Sequence, residues 1–198
     1  MIVLLFAALI YLPAIFSPPS LMDDVDAVQA QIARNMLESG DFVSARLNGV
    51  LYLEKSPLIY WLMAASFAVF GVHDWAARLP VAFFCIALAW LTARIAAWAA
   101  NPRVALASGL VMATSLGLWL FTRIVIPDVV LTFFVTLALW AFLRVLDDEE
   151  RSPRFWSNVM SASIATGLLL KGLIAALFPC AAAFLYLLFT NQLFAVNT

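Results

Sequence analysis

Residues 23–55 read DDVDAVQAQIARNMLESGDFVSARLNGVLYLEK, a long polar stretch in a chain that is 65% hydrophobic. Asp23, Asp24, Asp26, Glu38, Asp41 and Glu54 give it six of the chain's twelve acids, and it closes on Glu54-Lys55. Within it Val25, Val28, Ile32 and Met36 recur at spacings of three and four, with Gln29, Ala33 and Leu37 widening the stripe. Asp26, Gln31, Arg34, Asn35 and Glu38 fall on the other side. That pattern predicts an amphipathic helix over 25–38, of the kind that lies in a membrane interface. Asp23 or Asp24 stands where it can cap the helix, and Gly40 where it can end it.

The rest of the chain explains the setting. With 12% charged residues and a mean hydropathy of +1.00, 198 residues do not make a soluble domain. Apolar runs near 1–17, 80–99, 104–121, 128–146, 157–170 and 173–190 predict about six spanning helices, since about 17–25 residues cross a bilayer. The run 57–70 is 14 residues long and too short to span. It predicts a second interfacial helix, with Tyr60 and Trp61 at the headgroup level. The fold class is therefore all-α, a polytopic membrane helix bundle. It forms a single membrane domain over 1–198 with an external loop at 18–79. The first run has no basic residues before it and no small-residue cleavage site after it, so it reads as a retained helix, kinked or ended near Pro13 and closed by Pro18-Pro19. A net charge of −1 argues against a nucleic-acid partner. Cys85 and Cys180 lie in apolar runs and read as free thiols. His73, the chain's single histidine, reads as structural.

Placing residue 1 on the cytoplasmic side puts Arg94, Arg103, Arg144, Arg151 and Arg154 in inner turns, and the positive-inside rule favours that orientation. Asp23, Asp24, Asp26, Glu54, Lys55, Arg123, Asp128 and Lys171 then share the outer face. Charges at a membrane boundary are costly and mark functional sites. Each also has a plainer explanation. Asp24 serves as a helix cap, Glu54-Lys55 as a surface ion pair, Arg123 and Asp128 as a pair across one turn, and Lys171 as a snorkelling lysine.

The segments IARNMLESGDF, ARLNGVLYLEKSPLIYW, FGVHDWAARLP, RIVIPDVVLTFF and LLLKGL occur in that order. Together they resemble the N-terminal part of the polyprenyl-phosphate-sugar-dependent glycosyltransferases of the aminoarabinose-transferase and protein-mannosyltransferase superfamily, a glycosyltransferase family 39-like group with the GT-C fold. The resemblance covers residues 20–190 and is most specific over 40–80. It implies a catalytic acid at the start of the first external loop, which falls on Asp24. The family's Asp-Glu-x-Arg-Tyr motif needs a one-residue shift here, so Asp23 and Asp26 stay as alternates. It implies a second acid at Asp128. It implies a lipid-phosphate contact from Lys55, a carboxylate at Glu54 able to ligate a divalent metal ion, and a Lys-Gly match at Lys171-Gly172. As cations on the same outer face, Arg123 and Lys171 join Lys55 as candidates to stabilise the donor phosphate. Full members have about twice as many membrane helices, so the chain reads as truncated at its C-terminus.

The implied function is transfer of a sugar from a polyprenyl-phosphate donor to a lipid, glycan or protein acceptor. The implied place is the bacterial plasma (inner) membrane, with the site facing the periplasm or exterior. A lipid-linked donor requires no nucleotide cofactor. The alternatives are a membrane transporter or lipid-binding subunit, because intramembrane charges also mark substrate paths, and an inactive fragment of the enzyme.

Overall fold

The computed structural model describes residues 1–17, 20–21 and 25–192. The chain divides into two compact units, Met1–Phe133 and Phe134–Thr198. The first holds helices α1 (Ile2–Ala14), α2 (Asp26–Ser39), α3 (Leu58–Phe70), α4 (Asp74–Ala99), α5 (Pro102–Ala113) and α6 (Leu116–Arg123), with the start of α7 (Asp128–Val145). A small hairpin, β1 (Arg46–Leu47) and β2 (Val50–Leu51), stands between α2 and α3. The second unit holds the rest of α7, α8 (Pro153–Lys171) and α9 (Ile174–Phe189).

The polar stretch forms its helix as expected. Gly40 ends α2 at φ +75, in the left-handed region that glycine enters without a Cβ penalty, and its N–H returns to Met36 O at 2.9 Å. The buried face differs from the expected one. It comprises Asp26, Gln29, Ala30, Ile32, Ala33 and Met36, so Asp26 points inward rather than to the polar side. The reason is a charged partner on α4, described below. The expected caps Asp23 and Asp24 lie outside the described residues.

Two boundaries move. The helix expected over 80–99 begins at Asp74, so the external loop ends at His73, which takes an extended conformation before it. Asp74 brings a negative charge to the first turn, where the helix dipole favours it. Pro80 lies inside this helix, and a proline there leaves the carbonyl four residues earlier without its donor. That carbonyl is Ala76 O, and Ser66 Oγ of α3 donates to it at 2.7 Å. A neighbouring helix thus repairs the defect and is fixed against α4 in doing so.

The run expected as one helix over 104–121 is broken. Asn101 Oδ1 caps α5, accepting from the N–H groups of Arg103 and Val104 at 3.0 Å each. The helix stops at Thr114, and α6 leaves at a bend of 44°. The freed carbonyls find donors. Tyr11 Oη of α1 donates to Ala113 O at 2.7 Å, and Ser115 N–H to Met112 O at 3.1 Å, while Leu110 O keeps its backbone donor, Thr114 N–H, at 3.0 Å. Satisfied carbonyls are what allow a helix to break at membrane depth. Close packing helps hold the segment. A Cβ on Gly109 would lie 2.7 Å from Val3 Cγ2 and 2.9 Å from Ala93 Cβ.

Among the described helices, α4 and α7 are long and apolar enough to cross a membrane, and α5 with α6 makes a third if the bent pair is one span. The helices α1, α3 and α9 are apolar but shorter. Tyr60 faces the protein interior. It is fully buried with Ile59 and Met63 on the inner face of α3, which packs between α2 and α4. Trp61 is half-buried and donates its indole N–H to Phe42 O at 2.7 Å.

In the second unit, Arg144 lies in the last turn of α7 and pairs with Glu150. Its guanidinium lies 4.7 Å from the Trp156 ring centroid, and Trp140 meets Trp156 edge to face at 4.9 Å. The acidic turn is thereby fastened to α7 and α8.

Candidate active site

The hairpin sets the position of the Tyr52–Lys55 segment. Asn48 at φ +51 and Gly49 at φ +80 both take positive φ, as the tightest two-residue hairpin turns require. Arg46 pairs with Leu51 and Leu47 with Val50. Tyr52 N–H then reaches Ala45 O at 2.8 Å and prolongs the ladder. The Asn-Gly pair between apolar residues was a legible hairpin signal that the helical reading of this chain passed over.

Beyond the hairpin, Tyr52 Oη donates to Glu54 Oε2 at 2.7 Å. Glu54 is exposed and Lys55 half-buried. Lys55 makes no salt bridge among the described residues, so the surface ion pair with Glu54 is not formed. Tyr60 lies behind this segment. Burial first, and then the nearby Tyr52 and Glu54, push its hydroxyl up to about 12. Tyr60 Oη and both amide atoms of Gln29 are buried without a hydrogen-bond partner among the described residues. Each such group costs about 1–3 kcal/mol, and in native proteins each calls for a water or ligand group to explain it.

A second set of charges meets at the ends of three helices. Arg78 of α4 and Asp26 of α2 face each other, Nη2 to Oδ2, at 3.9 Å, with side chains only 3% and 7% exposed. Arg78 Nε also donates to Arg123 O at 3.3 Å. Arg123 is the last residue of α6, where carbonyls lack helical partners and the dipole is negative. Arg78 therefore caps α6 while it neutralises α2. The Arg123 side chain is half-buried. Its guanidinium lies 4.5 Å from the Trp119 ring centroid, and its Nη1 lies 3.5 Å from Ser17 Oγ.

The structure thus joins Asp26 and Arg123 through Arg78, a residue that the sequence reading left in the loop. An arginine within an apolar helix was the signal that could have found it. Asp128 opens α7 on the same unit, half-buried, and its carbonyl accepts from Thr132 Oγ1 at 2.7 Å. Lys171 belongs to the second unit, exposed in the last turn of α8, where a cation complements the dipole. Asp23 and Asp24 lie outside the described residues. Glu54 offers one carboxylate, already accepting from Tyr52, and no group of three His, Cys, Asp or Glu able to hold a metal ion occurs among the described residues.

Residues 54–197 match the model of a family described as dolichyl-phosphate-mannose-protein mannosyltransferase. The chain is 31% identical over 166 residues to an uncharacterized protein of Aquifex aeolicus (strain VF5), covering 82% of this chain and 32% of that one. It is 34% identical over 172 residues to the undecaprenyl phosphate-alpha-4-amino-4-deoxy-L-arabinose arabinosyl transferase of Pseudomonas aeruginosa (strain LESB58), covering 82% and 30%. The chain thus spans about a third of the length of these relatives. Its fold is that of ArnT from Cupriavidus metallidurans. The apo structure of that protein superimposes with a TM-score of 0.88 at 24% identity, over 96% of this chain and 36% of the other. The structure bound to undecaprenyl phosphate does so with 0.91 at 23%, over 97% and 36%.

Proposed function

Since the chain belongs to the dolichyl-phosphate-mannose-protein mannosyltransferase family, within the aminoarabinose-transferase and protein-mannosyltransferase superfamily, we propose that it supplies the donor-phosphate region of a membrane glycosyltransferase. The donor is a sugar on a polyprenyl phosphate, and the acceptor a lipid, glycan or protein. The observation that carries this reading is Lys55, a cation with no salt bridge among the described residues, beside Glu54 on a segment fixed by the hairpin. The arabinosyl transferase relative and the solved structure holding undecaprenyl phosphate support the same donor class.

In the proposed reaction an acceptor oxygen or nitrogen attacks the anomeric carbon. The bond from that carbon to the phosphate oxygen breaks, and its electron pair leaves with the polyprenyl phosphate. The acceptor's proton passes to a carboxylate, and configuration inverts. Lys55 and Arg123, both on the first unit, oppose the charge that grows on the phosphate, as fixed cations do in a site of low polarity. Asp24 takes the proton, with Asp128 in support. Asp26 is the weaker alternate, because its carboxylate faces Arg78 in a buried pair. A divalent metal at Glu54 would need ligands beyond the described residues, and no step here passes through one. The lipid-linked donor stays in the bilayer, so the site stands at a membrane surface; the positive-inside count supports the non-cytoplasmic one, and the family resemblance a bacterial plasma membrane.

Transfer of radiolabelled sugar from undecaprenyl-phosphate-linked donors, in membranes carrying the whole gene product, tests the reading. Lys55→Ala should lower turnover about tenfold or more, since a charge-assisted contact is worth about 1.5–3 kcal/mol. Arg151→Ala, assigned to the inner face, should leave it nearly unchanged. Absence of transfer by the parent protein, or normal transfer by Lys55→Ala, overturns the proposal. The face is read by impermeant thiol labelling in intact cells. A cysteine at Ser44 should label and one at Asp148 should not, and the reverse pattern inverts the topology.

A further inference from the structure

A cleft of about 510 Å³ opens between the second half of α2 and the hairpin, within the range of small-molecule sites, about 300–1,000 Å³. The carboxamides of Gln31, Asn35 and Asn48 and the hydroxyls of Ser39 and Ser44 line it. Such groups both donate and accept hydrogen bonds, as sugar hydroxyls do. Met36 closes the floor of the cleft from the core side.

Charge separates this cleft from the phosphate region. Its lining carries one acid, Glu38, and one base, Arg46. Glu38 is bound by Arg34 at 2.6 Å, just outside the lining. Nothing here concentrates positive charge as a phosphate site does. The walls are fixed in advance. Asn35 Nδ2 donates to Arg46 O at 2.9 Å and ties α2 to the hairpin. Gln31 Nε2 donates to Asn35 Oδ1 at 2.7 Å. Asp41 Oδ1 accepts from Ser44 N–H at 2.9 Å and closes the connecting loop. Polar groups held in place lose less freedom on binding a flexible polyol.

We propose that this cleft binds a saccharide, the sugar portion of the acceptor, while the donor phosphate is held at Lys55. The proposal rests on the transferase reading for the word acceptor, though not for the binding itself. Gly49 and Lys55 are six residues apart, at most about 20 Å of extended chain. One acceptor can therefore sit in the cleft and present its reactive group towards the donor.

Saturation-transfer NMR on the full chain in lipid nanodiscs tests this with methyl glycosides of glucose, mannose and N-acetylglucosamine. At least one should bind. Arg46→Ala and Asn48→Gly should each weaken it about fivefold or more. Asn48→Gly keeps a residue that accepts positive φ and removes only the carboxamide, so the turn survives. Undecaprenyl phosphate titrated into the same samples separates the two readings. Cleft variants should leave its affinity unchanged, and Lys55→Ala should lower it. Glycoside binding without undecaprenyl phosphate binding leaves the cleft standing and removes the transferase reading. Saturation of none of the glycosides, or equal saturation in parent and both variants, overturns the saccharide site.

Discussion

Arg78 and Asp26 face each other across 3.9 Å, both nearly closed to solvent, and Arg78 holds the last carbonyl of α6 as well. One guanidinium thus joins the polar helix, a membrane helix and the broken segment. Removing one member of a buried pair strands the other and costs about 3–5 kcal/mol. Arg78→Met should therefore lower the melting temperature in detergent by about 6 °C or more, at 2–4 °C per kcal/mol for a chain of this size. Asp26→Leu added to it should recover part of the loss. A double variant no better than the single would show that Arg78 acts through α6 alone.

Buried Ser66 offers the next test. Its hydroxyl supplies the donor that Pro80 denies to Ala76 O. Ser66→Ala should orphan a buried carbonyl and cost about 1–3 kcal/mol. Ser66→Ala combined with Pro80→Ala restores a backbone donor and should recover most of that loss. Thermal melting of the four proteins measures the coupling, and strict additivity would refute the repair.

Asp41 gives a pH signature. The Ser44 N–H first, and then the Val43 N–H, hold its carboxyl below the usual aspartate value of 3.8. A lowered value means that the ionised form favours the folded turn. Its contribution is complete above the unfolded value and is lost as pH falls through the folded one. The Ser44 amide NMR shift should therefore titrate with a midpoint below 3.8. Asp41→Asn should abolish the titration. A midpoint at or above 3.8 would mean that the loop is not closed in solution.

Much of this architecture was legible from spacing. Met36, Gly40 and the apolar run after Pro57 announce α2 and α3 through periodicity and a left-handed stop, which depend on local chemistry. Asp26 and Arg78 were not legible as a pair, because their partnership depends on helices brought together only in the fold. Pro80 pointed to a helix start and was instead an interior residue, since its repair comes from Ser66 on another helix. The break at Thr114 is likewise silent in an apolar run, its donor being Tyr11. The Tyr52–Lys55 segment was readable by resemblance, whereas the amide-lined cleft needs the hairpin folded back on α2.

The 44° break between α5 and α6 makes the second helix a lever arm. Eight residues of α6 measure about 12 Å at 1.5 Å each. At that angle the tip, which is Arg123, lies about 8 Å to the side of where an unbroken helix would carry it. A change of five degrees at the pivot would shift the tip by about 1 Å, comparable to the slack in a hydrogen bond. Arg78, gripping the Arg123 carbonyl, is the stop against which that lever rests.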